Sequence, residues 1–154
     1  MKIYSFFTRH SLKKCGKKVF FNGKLTIVEP KNLEIGNNCS FNHYIYINAT
    51  NPIKIGNDVT ISARASIVST GINYLEWFAT SQKKHTRNEG LIIGDHVWIG
   101  TGAVLLENAS ITGHHVVVAA NAVVTKKISD SYCVVGGCPA KVIKRIDPSA
   151  FQND

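Results

Sequence analysis

Residues 93–111 read IGDHVWIGTGAVLLENASI, and a large aliphatic residue returns at Ile93, Ile99, Leu105 and Ile111, each time six positions on. An amphipathic helix requires returns at three, four and seven, and a half-buried strand requires them at two. Six satisfies neither period. It suits a chain that runs straight briefly, turns a corner and repeats, with one side chain per segment directed into a narrow interior. Upstream, the same step links Ile35, Phe41 and Ile47, and then, after a two-residue slip at Asn51-Pro52, Ile55, Ile61 and Ile67. Downstream, one extra residue near Thr112 to His115 precedes Val118 and Val124. Four positions after many anchors stands a compact residue: Cys39, Val59, Ala65, Val97, Ala103, Ala109 and Ala122. Gly, Asp and Asn gather between them, as corners with unusual backbone angles require.

Three hexads close one triangular turn of about eighteen residues, and successive turns stack as parallel strands about 4.8 Å apart. The expected fold class is all-β, a parallel β-helix with repeats over about residues 33–128. A β-sandwich would show period-two alternation and less regular spacing. The register breaks at residues 69–90, a long insertion loop whose Leu75, Trp77 and Phe78 need a surface to cover, either the protein's own wall or a neighbouring subunit. In the tail, 129–154, the spacing of Val142, Ile143 and Ile146 predicts a short helix that caps the last coil. All 154 residues are expected to form one domain.

Eighteen Lys and Arg against ten Asp and Glu leave a formal charge of +8. That excess suits nucleic acid, an anionic membrane surface or a phosphate-rich small molecule. No basic stripe interleaved with aromatics and no nucleic-acid motif accompanies it, so nucleic acid is set aside. No apolar run reaches the roughly 18–20 residues of a transmembrane span. The start is too short in apolar residues for a secretory signal, so a cytoplasmic location is expected. Cys15, Cys39, Cys133 and Cys138 form no CxxC pair or metal-like cluster and read as free thiols, with Cys39 in a packing role.

Three elements stand in order with the hexads: Val97-Trp98-Ile99-Gly100, Val123-Val124-Thr125-Lys126-Lys127-Ile128 and Gly137-Cys138-Pro139-Ala140-Lys141-Val142-Ile143. With them, residues 33–146 resemble the hexapeptide-repeat acyltransferases, and more narrowly the small bacterial sugar and polysaccharide O-acetyltransferases akin to the galactoside and maltose group. The resemblance implies a left-handed coil, a homotrimer with active sites between subunits, acetyl-CoA as donor and no metal. It also implies a role in polysaccharide biosynthesis, with a sugar or glycan acceptor.

Coenzyme A offers a thin pantetheine arm and a phosphate-rich nucleotide. The small residues Val118-Ala119-Ala120-Asn121-Ala122 would let the arm approach backbone amides, and Lys126, Lys127, Lys141, Lys144 and Arg145 would meet the phosphates, Arg145 in bidentate fashion. The resemblance adds Thr125, Pro139 and Ala140 to that coenzyme site and places Trp98 in the cleft near the donor. Packing beneath the insertion is the alternative for Trp98.

Acetyl transfer to a hydroxyl needs a base, and histidine suits the task near neutral pH. Backbone N–H groups would steady the oxyanion. No Ser-His-Asp arrangement is legible, so direct attack is expected. Many relatives hold the base in a stretch like S-x-G-H; here Ser69-Thr70-Gly71-Ile72 has isoleucine in that place. His85, six residues before Leu91, is the replacement candidate, its alternative being a solvated residue beside Lys83 and Lys84. Asn42, His43, Asn73, Tyr74 and Trp77 are candidate acceptor contacts, since amides and aromatic faces suit sugar rings. His96 reads as a structural corner, and His114 and His115 as surface or acceptor-side residues. A zinc hydratase on the same fold would need three histidines from two subunits, two of them a short regular gap apart on one coil, and the adjacent pair His114-His115 does not supply that spacing. An N-acetyltransferase acting on an amino sugar, and a non-catalytic subunit favoured by Ile72, remain open.

Overall fold

The computed structural model describes residues 8–151. Three parallel sheets form the sides of a prism, and the chain visits them in rotation. The first face holds β1 (Lys14–Cys15), β4 (Leu33–Ile35), β7 (Ile53–Ile55) and β10 (Leu91–Ile93). The second holds β2 (Phe20–Phe21), β5 (Ser40–Phe41), β8 (Thr60–Ile61), β11 (Val97–Ile99), β13 (Val116–Val118), β15 (Cys133–Gly137) and β16 (Ala140–Arg145). The third holds β3 (Leu25–Val28), β6 (Ile45–Asn48), β9 (Ser66–Val68), β12 (Val104–Leu105) and β14 (Val123–Val124).

The anchors expected from the six-residue period stack in three columns. Ile35, Ile55, Ile93 and Ile111 pair in register on the first face. Phe41, Ile61, Ile99 and Val118 do so on the second, and Ile47, Ile67, Leu105 and Val124 on the third. All are buried, together with the compact residues Cys39, Val59, Ala65, Val97, Ala103, Ala109 and Ala122. Each coil's open hydrogen bonds are met by its neighbour, which is why so short a strand persists.

Three features differ from expectation. The coils begin one turn earlier than residue 33, because Cys15, Phe21 and Ile27 lie in register beneath Ile35, Phe41 and Ile47. The eight-residue step from Ile27 to Ile35, with a 3-10 turn at Pro30–Asn32, repeats the slip seen from Ile47 to Ile55. Secondly, Val142 and Ile143 lie on a strand rather than a helix. β16 folds back antiparallel on β15 and covers the edge of the second face, so the end is blunted by a hairpin. The described C-terminal helical turn is the 3-10 segment Pro148–Phe151. Thirdly, the insertion carries a helix, α1 (Tyr74–Thr80).

The corner between the first and second faces carries a ladder of left-handed residues: Lys18, Asn38, Asp58, His96, His115 and Tyr132, with φ of 52–56°. In the upper coils this ladder becomes aromatic. His96 stacks on His115 at 4.4 Å between centroids, and His115 on Tyr132 at 4.8 Å, while His114 Nδ1 faces His115 Nδ1 at 2.9 Å. Desolvation, then the nearby His96 and His114, lowers the His115 pKa. A folded state that binds this proton less readily than the unfolded chain loses stability as pH falls below the unfolded value of about 6.5. Melting at pH 5 is therefore expected below that at pH 7.5. His115→Asn, which keeps a residue tolerant of the left-handed conformation, should flatten that dependence; an unchanged pH slope would exclude the stack as its source.

Cys39 and Cys133 are buried, Cys15 is partly buried and Cys138 is exposed, all as free thiols. No helix among the described residues is long and apolar enough to cross a membrane, and no group of three or more His, Cys, Asp or Glu among them is arranged to hold a metal ion.

Candidate active site

The insertion leaves the third face after β9 and returns to the first face at β10, so it stands on the corner between them. Its two legs pair with each other. Ile72 bridges His85 in antiparallel fashion, Asn73 N–H donates to Lys84 O at 3.0 Å, and Thr86 N–H donates to Gly71 O at 2.9 Å. Buried side chains fasten this neck to the coil. Asn51 Nδ2 donates to Ser69 O and Thr86 O, each at 2.9 Å, and Thr70 Oγ1 donates to Thr86 O at 3.0 Å. The Thr86 hydroxyl accepts from Gly71 N–H at 2.8 Å and donates to the Glu107 carboxylate from the coil above.

Beyond the neck, Asn73 caps α1 by accepting from Glu76 N–H, as an N-cap amide should. Lys84 pairs with Glu76, and Lys83 Nζ lies 4.5 Å from the Trp77 ring centroid. Trp77 is half-buried, whereas Leu75 and Phe78 are 69% and 74% exposed. Of the two surfaces considered for these aromatic and aliphatic groups, the protein's own wall does not cover Leu75 or Phe78. His85 is exposed and lines an open cavity with Asn73, Glu76, Lys84, Thr86 and Arg87. Among the described residues its imidazole has no hydrogen-bond partner, so either ring nitrogen is open to a substrate.

The coenzyme candidates divide between two edges of the prism. Trp98 projects outward from the second face, 53% exposed, and its Nε1 donates to Ser62 Oγ at 2.9 Å. It lies on a different face from the insertion's corner, so it does not pack beneath the insertion of its own chain. Val117 and Val134 follow Trp98 in register, and Lys144 pairs with Val134, forming one outward lane along the axis. Lys141 pairs with Gly136 two positions further along the hairpin. Ala119 and Ala120 sit beside this lane at the corner after β13, and Pro139 and Ala140 at the hairpin turn. Thr125, Lys126 and Lys127 lie instead at the insertion's corner, where Lys127 lines a cavity with Asn88, Gly90, Ile92 and Ser110. Arg145 donates through Nη2 to Asp130 Oδ1 at 2.8 Å on the exposed surface.

The acceptor candidates divide likewise. Asn73, Tyr74 and Trp77 accompany His85, whereas Asn42 and His43 stand at the corner between the second and third faces. That corner is the one bearing Ala119 and Ala120, three coils higher, roughly 14 Å along the axis at the usual strand spacing. The contact of Glu107 with the insertion was not legible in the sequence, because it depends on which coil meets the insertion.

No family model matches the chain. It is 31% identical over 118 residues to a lipopolysaccharide biosynthesis O-acetyl transferase of Escherichia coli K12, covering 70% of this chain and 58% of that one. It is 27% identical over 137 residues to a galactoside O-acetyltransferase of Lactococcus lactis, covering 89% and 55%. The chain thus spans a little over half the length of these relatives. Among solved structures, a maltose O-acetyltransferase from Clostridium difficile superposes with a TM-score of 0.84 at 26% identity, covering 95% of this chain and 76% of that one. A hexapeptide-repeat acetyltransferase from Vibrio cholerae in complex with acetyl coenzyme A superposes with a TM-score of 0.78 at 24% identity, covering 95% and 78%. The fold is the left-handed parallel β-helix of hexapeptide repeats. By sequence and fold alike, the chain belongs to the hexapeptide-repeat acyltransferases.

Proposed function

We propose that the protein transfers an acetyl group from acetyl-CoA to a hydroxyl of a sugar or glycan precursor, with His85 as general base. The observation that carries the reading is the pairing of His85 with Ile72. The resemblance leads one to expect a histidine at position 72, and the paired neck brings the imidazole of another residue to the facing position. The O-acetyltransferase relatives and the acetyl-CoA-bound neighbour support donor and reaction type.

In the proposed reaction, His85 accepts the acceptor hydroxyl's proton as the oxygen attacks the thioester carbonyl. The tetrahedral oxyanion collapses, the C–S bond breaks, and the imidazolium returns its proton to the departing thiolate. Backbone N–H groups along the cleft are the available oxyanion donors. Lys141 and Lys144 flank the Trp98 lane and would meet the coenzyme phosphates as point charges.

Within one chain, the Trp98 lane and His85 stand on different parts of the prism, and Leu75 and Phe78 stay uncovered. A homotrimer, in which one subunit's lane faces another's insertion, would unite them. Isothermal titration with coenzyme A and acetyl-CoA consumption across a panel of sugars and amino sugars test the reading. Lys141→Ala with Lys144→Ala is expected to weaken coenzyme binding by about tenfold or more. No heat of binding in the native protein would reject the proposal. Binding without transfer to any acceptor would favour a non-catalytic subunit, and transfer to amines alone an N-acetyltransferase.

A further inference from the structure

We infer that Glu107 is a positioning residue for the base, an inference that rests on the proposed role of His85. Glu107 belongs to the coil above the insertion, two residues beyond Leu105, which pairs in register with Ile67. Its carboxylate accepts from the hydroxyl of Thr86, the residue directly after His85. The same hydroxyl accepts from Gly71 N–H at 2.8 Å, the residue directly before Ile72. One carboxylate thereby ties both legs of the neck to the rigid coil, on either side of the His85–Ile72 bridge.

The neck is shaped to admit this carboxylate. A Cβ added at Gly71 would lie 2.6 Å from Glu107 Oε1 and 3.1 Å from its Cδ, so the carboxylate rests against bare backbone. The other fastenings, from Asn51 and Thr70, reach the backbone carbonyls of Ser69 and Thr86. They secure the base of the neck, and Thr70 Oγ1 also lies 3.5 Å from Thr86 Oγ1, but the carboxylate on that hydroxyl is Glu107's. His85 itself projects into the open cavity with no hydrogen-bond partner among the described residues, so its placement depends on the backbone that carries it. Misplacement of a reacting group by about 1 Å costs on the order of a hundredfold in rate.

The test compares Glu107→Ala, Glu107→Gln and Thr86→Val with the native protein and with His85→Ala. Glutamine keeps an acceptor oxygen for the Thr86 hydroxyl, whereas alanine removes it and valine removes the donor together with the acceptor of Gly71 N–H. Expected for Glu107→Ala and Thr86→Val is a fall in kcat of roughly tenfold to a hundredfold. The KM for acetyl-CoA should stay within about twofold and amide exchange should quicken at residues 70–73 and 84–87. Glu107→Gln should recover most of the kcat. Because glutamine is uncharged, a preserved acidic limb of the pH profile in that variant assigns the effect to the hydrogen bond.

Native kcat in Glu107→Ala while His85→Ala is inactive would overturn the positioning role and leave the base assignment standing. Native activity in His85→Ala would overturn both. Equal losses of kcat in the alanine and glutamine variants would overturn the hydrogen-bond account. Circular dichroism and melting temperature guard against global unfolding. If Glu107→Ala does not fold, Glu107→Gln and Thr86→Val carry the comparison.

Discussion

Replacing His85 with alanine is expected to lower turnover by about a hundredfold or more while leaving coenzyme affinity close to native. The split follows from the proposed role of His85 in the chemical step. His85 stands on the paired neck of the insertion at the corner between the third and first faces, whereas the Trp98 lane and its lysines run along the second. A histidine that removes the acceptor's proton contributes chiefly to the chemical step. The measurement is steady-state kinetics with acetyl-CoA beside calorimetric titration of coenzyme A. Native turnover would dismiss His85 as the base. Equal losses of turnover and coenzyme affinity would show that the substitution disturbs the donor site instead. His43→Ala serves as the contrast: the side chain lies on an early coil near Gly23, and if it is the acceptor contact we propose, its loss should act on acceptor KM.

Truncating Ile99 to alanine is expected to cost about 3 kcal/mol, within the usual range of about 2–5 for a buried isoleucine. Ile99 is wholly buried, in register between Ile61 below and Val118 above. Its carbonyl accepts from Ser62 N–H at 2.9 Å, and Gly100 N–H donates to Val118 O at 2.8 Å. Rungs held on both sides cannot close over a cavity, so the lost contacts are not recovered. Ile92→Ala, at an outward position 48% exposed on the neighbouring face, should change stability by less than about 0.5 kcal/mol. Denaturant titration of the two variants decides the matter. Comparable losses would mean that the solenoid wall, rather than the interior column, carries the stability.

The columns were legible because stacking transmits a strict period. An inward residue at Ile61 requires an inward residue at Ile99 above it, despite the insertion between them in the chain. The first coil was harder to read. Phe21 and Ile27 keep the six-residue step, but Cys15 and the surrounding lysines conceal the third anchor. The tail was misread for a different reason: Val142, Ile143 and Ile146 satisfy a helical spacing as well as a strand, and only the open edge of β15 decides between them. The partner of Arg145 was hidden in the same way: Asp130 stands 15 residues back in the chain and beside it in space.

By itself, then, the sequence determined the interior: period six, compact residues at fixed offsets and corner residues between them specify which side chains enter the prism. The tertiary structure alone decided the surroundings of the candidate base. Hydrogen bonds between coils are local to each pair of rungs, so periodicity predicts them, whereas the insertion obeys no period. Where it stands, how His85 comes to face Ile72 and why Glu107 reaches Thr86 follow from contacts across 13 and 21 residues of chain.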